Sequence, residues 1–91
     1  MSYLMCEYGE GMHDEEYWVK FNAVIGEDQC FILKEDVIPF CEDEKGKYGL
    51  LKLEEIVSEE ADRYVVDVND VGDIRISRFH VKKEDVILDS R

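Results

Sequence analysis

A chain of 91 residues forms one domain around one modest hydrophobic core and has no room for a separate catalytic domain. Its 23 acidic and 11 basic residues give a formal net charge of −12. This charge opposes binding to nucleic acid or to an anionic membrane surface, because both require lysine and arginine to neutralise phosphates. A basic protein partner is favoured, and direct binding to DNA is not expected.

The start of the chain lacks a regular pattern. Residues 1–16 have no sustained apolar period, and Gly9, Gly11 and the run Asp14-Glu15-Glu16 predict a loop or a loosely docked arm. The segment lacks the basic start and the apolar run of a signal peptide, and no later stretch approaches the ~18 apolar residues that cross a membrane. These features predict a cytoplasmic protein without membrane contact.

Two alternating segments predict a first hairpin and an edge strand within residues 17–40. Apolar and polar side chains alternate from Tyr17 to Ile25, a turn follows at Gly26-Glu27-Asp28, and residues 29–34 form the partner strand. Pro39 confines the end of this unit to a sheet edge, because proline cannot donate a hydrogen bond to a ladder. The polar, acidic residues that follow, 41–49, predict a loop.

Residues 50–60 suit two kinds of secondary structure. Leu50, Leu53 and Ile56 share one face of a helix, whereas Leu51 and Leu53 share one face of a strand. The position of the segment directly after a glycine favours the strand. A helix here would change the fold class from all-β to β-rich α+β.

The most regular pattern lies between Arg63 and Leu88 and predicts a second hairpin with a closing strand, which completes a unit of residues 50–88. Its turn residues are Asn69-Asp70-Val71-Gly72, and residues 86–88 form the short closing strand. Strand parity in both hairpins predicts a shared core. Its members are Tyr17, Val19, Phe21, Phe31, Leu33, Val66, Val68, Ile74 and Ile76.

From Phe31 onward, the predicted order of elements is similar to that of SH3-like small barrels. A short strand, an acidic loop, a hairpin that begins at a glycine and a final strand with a turn and an apolar edge follow one another. The predicted fold is therefore an all-β single domain of residues 1–91, either a small twisted antiparallel sheet or an SH3-like, partly open barrel, with an N-terminal arm. This resemblance implies no particular function.

Two short segments of the chain are near copies. Phe31-Ile-Leu-Lys-Glu-Asp-Val-Ile38 and Phe79-His-Val-Lys-Lys-Glu-Asp-Val-Ile87 each predict a strand, a tight Lys-Glu-Asp turn and a second strand. An internal duplication and convergence on one turn explain this echo equally well.

The sequence contains no catalytic, metal-binding or phosphate-binding motif. Cys6, His13, Cys30 and Cys41 are chemically able to hold zinc, but no Cys-x-x-Cys pair exists among them. The segment Asp67-Val-Asn-Asp-Val-Gly72 lacks two ligands of a calcium loop and suits a hairpin turn instead. An odd number of cysteines without framework spacing indicates reduced, buried or half-buried thiols. We expect neither enzymatic activity nor a cofactor.

The negative charge is concentrated in the first half of the chain. Residues 1–46 hold 12 acidic and three basic residues, a net charge of −9, whereas the remainder has a net charge of −3. Such runs are common on solvated surfaces. The functional hypothesis is that they engage a basic protein, for example a nucleic-acid-binding protein, by imitating phosphates. The predicted partner-binding residues are Asp14, Glu15, Glu16, Trp18, Glu42, Asp43 and Glu44, with Trp18 as the apolar anchor.

A basic cluster near the end of the chain supports an alternative hypothesis. Its members are Arg75, Arg78, His80, Lys82 and Lys83. Strand alternation places the second, third and fourth of these on one face. The alternative is a small SH3-like barrel that contacts RNA or a nucleoprotein through this face, against the charge of the whole protein.

Overall fold

The computed structural model describes residues 1–71 and 75–88, with residues 75 and 76 described for the backbone alone. The described chain forms antiparallel strands and two short 3₁₀ helices, so the all-β prediction is confirmed. The strands are β1 (Ser2–Glu10), β2 (Glu16–Ala23), β3 (Gly26–Leu33), β4 (Val37–Asp43), β5 (Gly46–Lys52), β6 (Glu55–Glu59), β7 (Arg63–Asp70), β8 (Arg75–Lys82) and β9 (Val86–Leu88). The 3₁₀ helices are Lys34–Asp36 and Lys83–Asp85.

The strands divide between two sheets. Sheet A has six strands in the order β3-β2-β1-β5-β4, with β9 paired to β1, and sheet B has three in the order β6-β7-β8. The described strands do not close into a single barrel. Alternate side chains of both sheets meet in one core, because one face of each sheet is apolar. The largest fully buried side chains are Leu4, Val19, Ile32, Leu51, Val66, Val68 and Val81.

The prediction of a loop or arm over residues 1–16 is wrong for most of that segment. Ser2–Glu10 forms β1, which pairs with β2, β5 and β9. Leu4, Cys6 and Tyr8 alternate toward the core and are buried. A cysteine and a tyrosine are weaker apolar signals than leucine or valine, so the period of two is faint in the sequence of β1. The segment between β1 and β2 is a loop, as expected.

The first hairpin was predicted, but its turn lies two residues earlier. Ala23 pairs with Gly26, so Val24 and Ile25 form the turn, and Ile25 is 96 % exposed instead of facing the core. Gly26 has a φ of +143°, a conformation that L side chains rarely adopt.

The position of this turn determines which alternate side chains of β3 face the core. Cys30 and Ile32 face the core, whereas Phe31 and Leu33, which were predicted to be buried, are half-buried. Of the other predicted core residues, Val19, Phe21, Val66 and Val68 are buried and Tyr17 is half-buried against the core. Ile74 and the side chain of Ile76 lie outside the described residues.

The predicted acidic loop at residues 41–49 is largely strand, because β4 extends to Asp43 and β5 begins at Gly46. Pro39 lies on an edge strand beside an irregularity in the β4–β5 register, as expected. The strand prediction for residues 50–60 is confirmed, although the chain passes from sheet A to sheet B at Leu53 and Glu54.

The near-copy segments belong to a larger internal two-fold repeat. Leu4 of β1 lies opposite Leu51 of β5, and this pair marks a pseudo-two-fold axis. On one side of the axis Leu4 pairs with Val86, and on the other Leu51 pairs with Val37. Each half contains a three-stranded meander, a 3₁₀ helix and a short strand that pairs beside the axis.

Contacts far from the axis repeat in the same way. The backbone N–H of Val24 donates to the carbonyl of His80, and that of Val71 donates to the carbonyl of Phe31, both at 2.9 Å. Phe31 is therefore equivalent to His80, in agreement with the alignment of the Lys-Glu-Asp-Val-Ile run that both segments share.

The 3₁₀ helices also repeat their side-chain contacts. Lys34 binds Glu10 at 3.0 Å and lies over the ring of Tyr17, while Lys83 binds Glu59 at 2.8 Å and lies over the ring of Tyr64. The sequence echo is thus one part of a structural repeat that spans both halves.

Candidate functional site

The fold brings the two acidic triplets to the same end of sheet A. Glu10 pairs with Tyr17 at the end of β1, so the loop that carries Asp14, Glu15 and Glu16 extends from this end. Tyr8 of the same strand pairs with Lys47, which places the β4–β5 turn there as well. We call this surface the acidic end; it comprises Asp14, Glu15, Glu16, Glu42, Asp43 and Glu44.

The carboxylates of the acidic end are accessible and mostly uncompensated. All six residues are exposed except Glu16, which is half-buried. Within the described chain, none of the six forms an ion pair within 4 Å. Lys45 lies at the tip of the β4–β5 turn and Lys47 lies opposite Glu42 in the strand register, so two cations accompany the six carboxylates. The result is a concentrated negative potential at one end of the sheet.

Backbone hydrogen bonds hold both acidic loops in place. The N–H of Gly11 donates to the carbonyl of Glu16 at 3.2 Å, and the N–H of Lys34 donates to the carbonyl of Glu15 at 2.9 Å. In the other loop, the Asp43 carboxylate accepts from the N–H of Lys45 at 2.8 Å and shapes the turn. Asp43 therefore has a structural role, whereas Glu42 and Glu44 beside it are exposed to solvent.

Trp18 lies on the solvent side of sheet A and is half-buried, not fully exposed as an anchor residue would be. Its indole N–H donates to the side-chain oxygen of Gln29 at 2.7 Å. The ring packs across Gly9 of β1, where an added Cβ would lie 3.7 Å from the indole. The indole is thus partly covered by the N-terminal strand and fixed by a neighbouring strand.

The basic cluster of the alternative hypothesis is partly neutralised within the protein. Arg78 forms two hydrogen bonds to the buried Asp67, at 2.8 and 3.2 Å, and Lys83 is paired with Glu59. His80 and Lys82 are exposed on β8. The side chain of Arg75 lies outside the described residues. The cluster offers fewer free cations than the sequence indicated.

The ion pair between Asp67 and Arg78 makes stability depend on pH. The hydrogen bonds from Arg78 lower the pKa of Asp67, so the pair stabilises the fold above the unfolded-state pKa of about 4 and is lost as the pH falls through the folded-state pKa. We expect Asp67→Asn to lower the free energy of unfolding by about 1 kcal/mol at pH 7, a value reduced by the exposure of Arg78. The deficit should shrink at pH 3, as measured by urea unfolding at constant ionic strength.

Asp62→Asn is the matched control, because Asp62 is paired with Arg63 on an open surface. It should leave the unfolding curve unchanged at both pH values. A deficit of Asp67→Asn that is equal at pH 7 and pH 3 would show that charge pairing is not its cause.

The three thiols occupy different environments. Cys6 and Cys30 are buried, and desolvation raises the pKa of each thiol to about 12. Cys41 is exposed on β4, so the prediction of burial is wrong for this residue. Across residues 1–71 and 75–88, no group of three or more histidine, cysteine or acidic side chains is arranged to hold a metal ion.

These environments predict that, of the three thiols, Cys41 alone reacts rapidly in the folded protein. Only thiolates react rapidly with disulfide reagents, and a pKa near 12 leaves almost no thiolate at pH 8. We expect the native protein to release one equivalent of chromophore from Ellman's reagent quickly, and the unfolded protein to release three. Cys41→Ser should remove the fast phase, and its persistence in that variant would contradict the burial of the other two.

Comparison with protein-family models, with curated proteins and with solved structures found no match. Within the described part of the chain, no helix is long and apolar enough to cross a membrane.

Proposed function

We propose that this protein is a small, non-catalytic interaction module of the cytoplasm, a regulator or inhibitor whose acidic end binds a basic protein. The observation that carries the proposal is the convergence of two acidic loops, 28 residues apart in sequence, at one end of sheet A. The carboxylates meet the lysine and arginine side chains of the partner. A partner that normally binds nucleic acid fits this chemistry, because rigidly held carboxylates imitate a row of phosphates.

The fixed conformation of the two acidic loops supports this function. Both are held by backbone or side-chain hydrogen bonds, so little conformational entropy is lost when they meet a partner. The cations of the described chain that form ion pairs do so away from these loops or at their base. The field of the acidic end is thus not cancelled internally.

The test compares two variants of equal net charge. In the first, Asp14, Glu15, Glu16, Glu42 and Glu44 become the corresponding amides, with Asp43 retained for the turn. In the control, five exposed glutamates elsewhere become glutamine: Glu35, Glu54, Glu55, Glu60 and Glu84. Immobilised wild-type protein captures a partner from lysate, and calorimetry then measures the affinity of the purified partner for each form.

We expect the first variant to lose most of the affinity and the control to retain it. Affinity for the wild type should also fall steeply with salt, and nucleic acid should compete for the partner if mimicry operates. Equal affinity of both variants would refute a role for the acidic end. Direct binding of RNA by the wild type that Lys82→Ala weakens would favour the alternative function instead.

A further inference from the structure

The side of sheet A that faces away from the core carries an exposed apolar strip. Met5 of β1 is 46 % exposed, and the strand register places Leu50 and Ile38 beside it in one cross-strand row. Phe40, at the irregularity of β4, is 69 % exposed. The outer strip comprises Tyr3, Met5, Ile38, Phe40, Leu50 and Ile87. Contiguous exposed apolar surface of this kind marks interaction sites in soluble proteins.

A groove of about 400 Å³ opens in the outer strip. It lies where β1 changes partners, because β9 pairs with this strand only as far as Leu4 and β2 begins to pair at Glu7. Met5 lines the groove in this gap, and Phe40 and Tyr48 line it from β4 and β5. The volume is sufficient for one or two side chains of a bound peptide.

The groove is negatively charged. Three carboxylates line it, those of Glu7, Glu27 and Asp85, against the single ammonium group of Lys20. Lys20 lies 3.3 Å from Glu7 and 3.6 Å from Glu27, so one cation is shared between two acids. An arginine or lysine matches this combination, because its aliphatic stem packs on apolar surface while its charged head meets carboxylates.

The internal two-fold repeat provides a comparison within the molecule. A second groove, of about 340 Å³, lies at the position related by the pseudo-axis and is lined by Lys52, Leu53 and Glu54. Lys52 is the equivalent of Met5, since the axis relates Leu4 to Leu51. The second groove thus has a cation where the first has Met5, and its two carboxylates, Glu54 and Glu55, give it a net charge of −1 against −2 for the first groove. It is therefore the weaker match for a cationic side chain.

We propose that the outer strip and its groove form the docking site for a cationic, apolar segment of the protein partner. The segment places an arginine or lysine in the groove and a large apolar side chain on Met5 and Phe40. This inference rests on the proposed function and adds a second contact to the acidic end. Charge complementarity selects this occupant, because a second copy of a chain with a net charge of −12 is repelled.

The test uses a defined probe, the acetylated and amidated pentapeptide Arg-Arg-Phe-Arg-Arg, titrated into isotopically labelled protein. We expect saturable shifts of the amide resonances of residues 5–7, 20–22 and 40–48. The peptide Glu-Glu-Phe-Glu-Glu should cause none. Met5→Lys should weaken binding at least about tenfold, and the reciprocal Lys52→Met should not weaken it. The second half of the chain already carries lysine at this position of the fold, so Met5→Lys is expected to fold.

Three outcomes would overturn the proposal. One is the absence of saturable binding, another is equal affinity of wild type and Met5→Lys, and the third is shifts confined to residues 14–16 and 42–44. The last outcome would rule out the groove as the binding site but would leave the acidic end as a binding surface. Failure of the proposed function is different, because the captured partner then binds the five-amide variant as tightly as the wild type.

Discussion

Replacing Leu51 with alanine is expected to remove about 2–5 kcal/mol from the free energy of unfolding. Leu51 has no solvent exposure and lies between Leu4 and Val37 at the pseudo-two-fold axis. A chain of this size has a total stability of only about 5–14 kcal/mol, so the substitution should remove a large fraction of it. Urea denaturation followed by tryptophan fluorescence measures the loss.

Leu88→Ala provides a control with the same chemistry. Leu88 ends β9 and is 54 % exposed, so its truncation should change stability by about 0.5–1 kcal/mol or less. Leu4→Ala should resemble Leu51→Ala, because the repeat places the two residues in equivalent positions. The loss of unfolding free energy in the double variant should differ from the sum of the two single losses, because residues in contact are energetically coupled. A loss for Leu51→Ala no larger than that of the control would contradict the observed core.

Reversing five charges of the acidic end is expected to slow association with the partner by an order of magnitude or more. The changes are Asp14, Glu15, Glu16, Glu42 and Glu44 to lysine, with Asp43 retained because its carboxylate shapes the turn. Charges on loops steer a cationic partner over a Debye length of about 8 Å at physiological salt. Dissociation should change much less. Stopped-flow mixing at two salt concentrations measures both rates.

The control reverses the same number of charges at Glu35, Glu54, Glu55, Glu60 and Glu84, which are exposed in other parts of the surface. If steering depends on the position of the charges, this control should associate faster than the acidic-end variant. Equal slowing of both would assign the effect to net charge alone. Unchanged kinetics in both would remove electrostatic steering from the mechanism.

The all-β class, the two hairpins and the edge position of Pro39 were predictable from alternation and turn residues. The largest error arose where pairing partners are distant in sequence, and a second concerned the position of a hairpin turn. β1 has a weak pattern of its own, and its identity as a strand depends on β5 and β9, whose paired residues lie at least 39 positions away in sequence. Gly26 was predicted to begin the turn Gly26-Glu27-Asp28, but it follows a turn formed by Val24 and Ile25, which changes the side chains of β3 that face the core. Local patterns do not determine which strands become neighbours.

The acidic residues were identified from the sequence, but their spatial relation was not. The two acidic loops lie at the same end of sheet A because β1 lies next to both β2 and β5. The roles within the set also differ from the prediction, since Asp43 supports a turn and Trp18 is hydrogen-bonded to Gln29. The groove beside Met5 had no signal in the sequence, because it arises from a change of strand partners in three dimensions.

The internal repeat has a consequence for how a partner approaches. Two halves of similar backbone shape present similar outlines, so a partner that sensed shape alone would find two equivalent orientations. The charges make the two orientations different, because residues 1–46 carry a net charge of −9 and residues 47–91 carry −3. The protein therefore has an electric dipole superimposed on a nearly symmetric body. For the cationic partner proposed above, we expect this dipole to turn the first half forward, so that the productive orientation is selected before any side chain makes contact.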